Sequence, residues 1–245
     1  MKQSDPTPLS PWNVWETLGL TILILMAFFS ISSAIALIFL TLQLAQDPTL
    51  DPQTVIQTLQ TDGLVLSVAT LIAGIGSSSL IYAVLKVRPA LNIQHYLALR
   101  RPRWTSWLVW NGLLLALIVF SESVLRAFEH QETFTEKIYQ TTPNPVLLYI
   151  AIVGIAPLFE ELLFRGFLFQ GLQSSLLGNT GAILISAVGW AILHLQYDVV
   201  VISQITLFGF LFGLARWRTH SLLIPLSMHS LNNFLALFFT SLNLP

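Results

Sequence analysis

A chain of 245 residues that is 54% hydrophobic and 9% charged differs from a soluble domain, in which roughly a quarter of the residues carry charge. A net charge of -1 and the lack of any basic run interleaved with aromatics exclude nucleic acid as a partner, and zero cysteines exclude a thiol nucleophile, thiolate metal ligands, disulfides and palmitoylation. The mean hydropathy of +0.73 predicts an all-α polytopic membrane helix bundle; at roughly 30–35 residues per span and loop the length allows about seven helices and no sizeable soluble domain.

In chain order, Met1–Thr17 reads as a polar tail with Trp12 and Trp15 at the level of an interfacial aromatic belt, and it lacks the basic start and short apolar core of a cleavable signal peptide. Residues 18–245 follow as one transmembrane domain. Spans are expected at Leu18–Leu44 and Gly63–Val87, around a loop (Ala45–Asp62) that holds Asp47, Asp51 and Asp62 but no Lys or Arg. Lys86, Arg88, Arg100, Arg101 and Arg103 crowd the next connection, where Asn92–Leu99 reads as a short amphipathic surface helix. A third span, Trp104–Leu125, precedes an acidic segment with Glu129, Glu132 and Glu136. The fourth starts near Pro145 and runs through APLFEELLFRGFLFQG (156–171), bending at Gly154 and Pro157 because proline removes a backbone donor. Gly178 and Asn179 mark a turn. Spans at Thr180–Gln196, Val199–Ala215 and Leu222–Thr240 complete seven, and Gly209 with Gly213 forms a small-xxx-small pair for close helix approach. Splitting the fourth span, or ordering Glu129–Gln140, gives eight.

With the amino terminus inside, Lys2, Lys86, Arg88, Arg100, Arg101, Arg103, Arg216 and Arg218 fall on the cytoplasmic side and only Arg126 and Lys137 outside. That bias fixes the expected orientation, with the plasma membrane as the site in a bacterial cell.

The polar residues inside these spans are few. Glu161 and Arg165, four apart, share a helix face and neutralise each other, which leaves Glu160 free on another face. A charge at mid-membrane costs about 2.5–3.5 kcal/mol on insertion scales, so such a cluster is a functional candidate by default. His194 and His229 fall inside expected spans; Asn233 follows His229 by one turn, and Trp190 precedes His194 by one and can wall its pocket. His95, His130 and His220 fall in loops or at interfaces, Glu122 with Arg126 reads as a surface pair, Asn232 as a bond across helices, and Trp104, Trp107, Trp110 and Trp217 as belt anchors.

Glu160, His194, His229 and Asn233 are the parts needed to add water to an amide. A carboxylate in a low-dielectric pocket suits a general base, His194 can share the water's proton, and His229 with Asn233 can hold an oxyanion. The same set without Asn233 could bind zinc, since two imidazoles and a carboxylate leave a fourth position for water. The residues leave both open.

EELLFR resembles the Glu-Glu-x-x-x-Arg motif of the CPBP intramembrane proteases, which include CAAX prenyl endopeptidases and bacterial immunity-type members. WAILH is similar to that family's Phe-x-x-x-His motif with Trp190 in place of Phe, and HSLNN to its His-x-x-x-Asn motif. The resemblance covers about Ile150–Leu237, in the family's order, and places the protease core at 146–240. It implies a glutamate-type endopeptidase that acts on a membrane-associated protein or peptide: Glu160 with His194 activates water, His229 and Asn233 form the oxyanion site, and Glu161 and Arg165 brace the helix. No cofactor is expected on that reading; zinc held by Glu160, His194 and His229 is the alternative. The sequence lacks His-Glu-x-x-His, paired intramembrane aspartates and Gly-x-Ser-Gly, the marks of other intramembrane proteases. A non-catalytic scaffold or immunity-type protein on the same fold is the rival expectation.

Overall fold

The computed structural model describes residues 10–128 and 133–243, so Lys2, Glu129, His130 and Glu132 of the readings above lie outside it. Among the described residues every regular element is helical. In chain order they are α1 (Val14–Gln46), α2 (Pro52–Leu59), α3 (Gly63–Lys86), α4 (Ile93–Tyr96), α5 (Trp104–Ala127), α6 (Phe134–Gln140), α7 (Pro145–Gln173), α8 (Gly178–Ile192), α9 (Val199–Thr219) and α10 (Leu223–Asn243).

Five of these, α1, α3, α5, α7 and α9, are long and apolar enough to cross a bilayer, where seven to eight spans were expected. The shortfall has physical causes. α8 holds 15 residues, about 22 Å of helix against a hydrocarbon core of about 30 Å. α10 has the length, at 21 residues, but His229, Asn232 and Asn233 dilute its apolar content. The all-helical membrane architecture holds, with five helices among the described residues that meet the length and apolarity of a span.

Several loop acids start helices. Asp51 accepts from Thr54 N at 2.9 Å to cap α2, a helix inside the expected 45–62 loop, and the Thr54 hydroxyl and amide hold its carboxyl below the ordinary value. Asp62 caps α3 through Leu64 N and Val65 N, both at 2.9 Å, and Asp198 caps α9 through Val200 N at 2.8 Å. Such caps are worth about 1 kcal/mol each. Asn13 and Glu16 form a reciprocal capping box on α1, with N–H to oxygen distances of 2.8 and 2.9 Å. Trp12, just before this box, turns inward between Tyr96 and Phe167, 7% exposed, so it is a core ring rather than the expected belt residue. Trp15 is 81% exposed, as a belt residue would be.

The molecule is apolar outside as well as inside. Ile22, Leu23, Met26, Leu37 and Ile38 of α1 and Leu108, Val119 and Phe120 of α5 are all more than half exposed. Water would penalise such a surface, whereas lipid solvates it, and the chain is an integral membrane protein.

α7 is the axis around which the rest packs. Its Phe159, Leu163, Phe164, Phe167, Leu168 and Phe169 are buried together with Ile24, Ile81, Leu114, Trp190, Phe212 and Met228 from the surrounding helices. α8 and α9 pack closely along much of their length. A Cβ on Gly209 would lie 3.1 Å from Ala187, and one on Gly213 would lie 3.3 Å from Ile183, so the expected small-xxx-small pair is where the two backbones meet.

Candidate functional site

The site begins with an irregularity in α7. Two π-helical stretches, Ile150–Ile155 and Leu162–Leu168, flank a short α-helical stretch, Ala156–Glu161, that carries both glutamates. Ala156 N bonds to Ala151 O, the i-5 pattern; the next bond in that register would run from residue 157 to Ile152 O, and Pro157 has no N–H to give. The expected bend at Gly154 and Pro157 therefore takes the form of a π turn with an orphaned carbonyl. Asn233 on α10 fills that vacancy, donating from Nδ2 to Ile152 O at 2.9 Å. One of its two amide hydrogens is thereby committed.

This pairing makes a sharp prediction. Asn233→Leu strands a partly buried carbonyl and destabilises the chain by about 1–3 kcal/mol. In a Pro157→Ala background, which restores an N–H to that register, the same change costs less than half as much. Thermal unfolding of the four variants in detergent measures the coupling; equal losses in both backgrounds would show that Asn233 does not serve this carbonyl.

Glu161 and Arg165 pair as expected, at 3.0 Å with both side chains fully buried. The pair is larger than its two members. Glu161 Oε1 also accepts from His229 Nδ1 at 3.0 Å, and Arg165 Nη2 donates to Gly209 O at 3.2 Å. The guanidinium lies 4.7 Å from the Trp190 ring and 5.5 Å from that of Phe212. One carboxylate oxygen thus holds an arginine of its own helix and a histidine of α10. Its Oε2 and the Nε of Arg165 have no hydrogen-bond partner among the described residues.

Glu160 lies beside this cluster. Its side chain is 17% exposed, its Oε2 accepts the Trp190 Nε1–H, and His229 Nε2 stands 3.8 Å away. His194 falls in the turn just past the end of α8, not inside a span as expected, because α8 stops at Ile192 and the amides of Leu193 and His194 close 3.1 and 3.0 Å bonds to Trp190 O and Ala191 O. The ring stays near the acid nonetheless. His194 Nδ1 donates to Trp190 O at 3.1 Å, and the ring stands edge-on to the Trp190 indole at 5.1 Å, while the His229 ring meets the same indole at 4.9 Å. Glu160, His194, His229 and Arg165 are therefore gathered around Trp190. His194 makes no direct hydrogen bond or ion pair with Glu160; the indole joins them.

These bonds assign protons. A carbonyl only accepts, so His194 Nδ1 carries hydrogen and its Nε2 lone pair is left as a base when the ring is neutral. Glu161 likewise holds His229 by Nδ1, which turns Nε2 toward Glu160.

Among the described residues no three His, Cys, Asp or Glu side chains have the spacing that a metal ion requires. The zinc set does not fit as placed: Glu160 Oε2 accepts the indole N–H, and 3.8 Å to His229 Nε2 is loose for two ligands sharing an ion with bonds of about 2.0–2.1 Å.

The sequence reading missed three partners. The Trp190 indole N–H is signalled only by the Trp in place of Phe, and the Gly209 carbonyl only by the small-xxx-small pair. In sequence Arg216 reads as one of the charges of the cytoplasmic segments. It is instead 2% exposed, donating from Nε to Arg165 O at 3.0 Å and from Nη2 to Gln170 Oε1 at 3.4 Å, and so braces the π-helical stretch from α9. The expected Glu122–Arg126 pair does not form; Glu122 receives Gln204 Nε2 at 3.4 Å. Asn232 bonds to Asn233 on its own helix, at 3.3 Å, rather than across helices.

Residues 142–235, which hold all six singled-out side chains, match the family model described as type II CAAX prenyl endopeptidase Rce1-like. This segment is similar to the Rce1-like family. The family is one of proteases, in agreement with the CPBP and CAAX resemblance of the three motifs. The chain is also similar to an uncharacterized 24.3 kDa protein of Escherichia coli, 31% identical over 113 residues. That match takes in 44% of this chain and 52% of the relative, so the chain spans about half the length of the curated protein it matches. No solved structure matches the chain.

Proposed function

We propose that this protein is an intramembrane endopeptidase that hydrolyses a peptide bond of a membrane-associated protein or peptide, CAAX-like or other, with water activated by Glu160. The observation that carries the reading is the gathering of Glu160, His194 and His229 around one indole, in a segment whose family is made of proteases. Glu160 takes the proton as the water oxygen adds to the scissile carbonyl carbon, with the His194 Nε2 lone pair as the second acceptor. His229, positioned by Glu161, donates from Nε2 to the oxyanion in its protonated form, and the second amide hydrogen of Asn233 is the other donor on offer. When the tetrahedral intermediate collapses, the C–N bond breaks, the proton passes from Glu160 to the leaving amine, and a carboxylic acid product remains. Trp190 sets the distance between acid and imidazole. Glu161 and Arg165 support the site without touching substrate. The amino terminus lies in the cytoplasm, and in a bacterial cell the membrane is the plasma membrane.

The test is cleavage by the purified full chain in liposomes, using a prenylated peptide ending in a CAAX sequence beside an unprenylated copy. His194→Ala lowers the rate about 10²-fold or more, the usual contribution of a positioned proton acceptor, and a chelator leaves it within twofold. Loss on chelation with recovery on added zinc replaces the glutamate mechanism by the metal one. An undiminished rate in His194→Ala removes the imidazole from the mechanism.

A further inference from the structure

A cavity of about 660 Å³ opens between the end of α3 and the α4 segment, on the arginine-rich face. Its walls are apolar: Ile81, Leu85 and Leu97 are buried there, and Leu162 of α7 closes one side. Its rim is cationic. Lys86 and Arg88 line the mouth, both exposed, and neither pairs with a carboxylate among the described residues. The imbalance is written into the chain, for residues 63–121 contain Lys86, Arg88, Arg100, Arg101 and Arg103 and no Asp or Glu at all.

The position of the cavity limits what can fill it. It lies at the end of a 24-residue apolar helix, the level at which lipid headgroups meet the chain. Ile75, 54% exposed, stands three and seven residues before the lining Ser78 and Tyr82, so the same face of α3 continues as an apolar track toward the bilayer interior. Ser78 adds a polar point on the wall. The Ser79 hydroxyl donates to Ile75 O at 2.8 Å, whereas the Ser78 hydroxyl, like that of Ser77, has no partner among the described residues.

We infer that this cavity is a binding site for one anionic phospholipid, its phosphate between Lys86 and Arg88 and its chains against Tyr82, Leu99 and Leu162. A small free anion would leave the apolar walls without purpose, and a zwitterionic lipid would leave the cations uncompensated. Leu162 directly follows the two glutamates, so the lipid rests against the helix that presents them. The inference is independent of the hydrolase reading, since binding is measured without any cleavage.

The experiment is native mass spectrometry of the full chain in neutral detergent, with phosphatidylglycerol, phosphatidylcholine or inorganic phosphate added. The wild-type chain retains one phosphatidylglycerol in preference to phosphatidylcholine, and phosphate does not displace it. Lys86→Ala with Arg88→Ala weakens phosphatidylglycerol about thirtyfold, the combined effect expected of two cations near a membrane surface, and leaves phosphatidylcholine unchanged. Arg101→Ala with Arg103→Ala removes the same charge outside the cavity and leaves the bound lipid in place. Equal losses in the two double variants would mean general surface attraction and overturn the site, as would displacement by phosphate or equal retention of both lipids.

Discussion

Glu160→Gln leaves a folded chain whose peptide-bond cleavage falls about 10²–10⁴-fold, the range a positioned general base supplies. Folding survives for a reason visible in the site. Glu160 is partly exposed and makes no ion pair with a cation of its own helix; its one direct bond is from the Trp190 indole, which the Gln carbonyl oxygen can accept equally well. Catalysis does not survive, because an amide oxygen cannot take up the proton of the attacking water. Unfolding temperature and cleavage of the prenylated reporter, measured on one preparation, separate the two effects. An unchanged melting curve with full activity would remove Glu160 from the mechanism and favour a non-catalytic membrane protein on this fold.

Arg165→Met is expected to act the other way, on stability first. The guanidinium is fully buried, and its removal leaves Glu161 inside the bundle with the His229 imidazole as its remaining partner. Breaking a buried pair from one side costs about 3–5 kcal/mol, since the surviving charge keeps its desolvation penalty. Arg165→Lys does not rescue fully, because a point ammonium cannot reach both Glu161 and Gly209 O while lying against Trp190 and Phe212. Glu161→Leu combined with Arg165→Met recovers most of the stability, as apolar replacement of a whole buried pair often does. It does not recover activity, for His229 then loses the carboxylate that orients it. Thermal unfolding in detergent, with reporter cleavage on the same samples, reads both halves; a single Arg165→Met variant as stable as wild type would mean that the pair contributes nothing to holding α7.

What the sequence determined by itself is what short range and composition dictate. Apolar runs with few charges define helices that live in lipid, so the boundaries of α3, α7 and α9 come out close to expectation. The spacing of four between Glu161 and Arg165 places them on one face whatever surrounds them. His194, His229 and Asn233 stand out because polar side chains are rare in such segments.

The tertiary structure alone decided which groups these residues meet. Pro157 announces a missing donor, but only the packing of α10 on α7 gives Ile152 O to Asn233. Glu160 reads as free in one dimension because its partner, the Trp190 indole, lies 30 residues away on another helix. Arg216 reads as an interfacial charge until α9 is seated and its guanidinium finds the Arg165 carbonyl that the π turn makes available. Helical periodicity describes the faces of one element. Hydrogen bonds between elements depend on depth and rotation, and those are fixed by the close approach of helices at Gly209 and Gly213 and by a core arranged around α7.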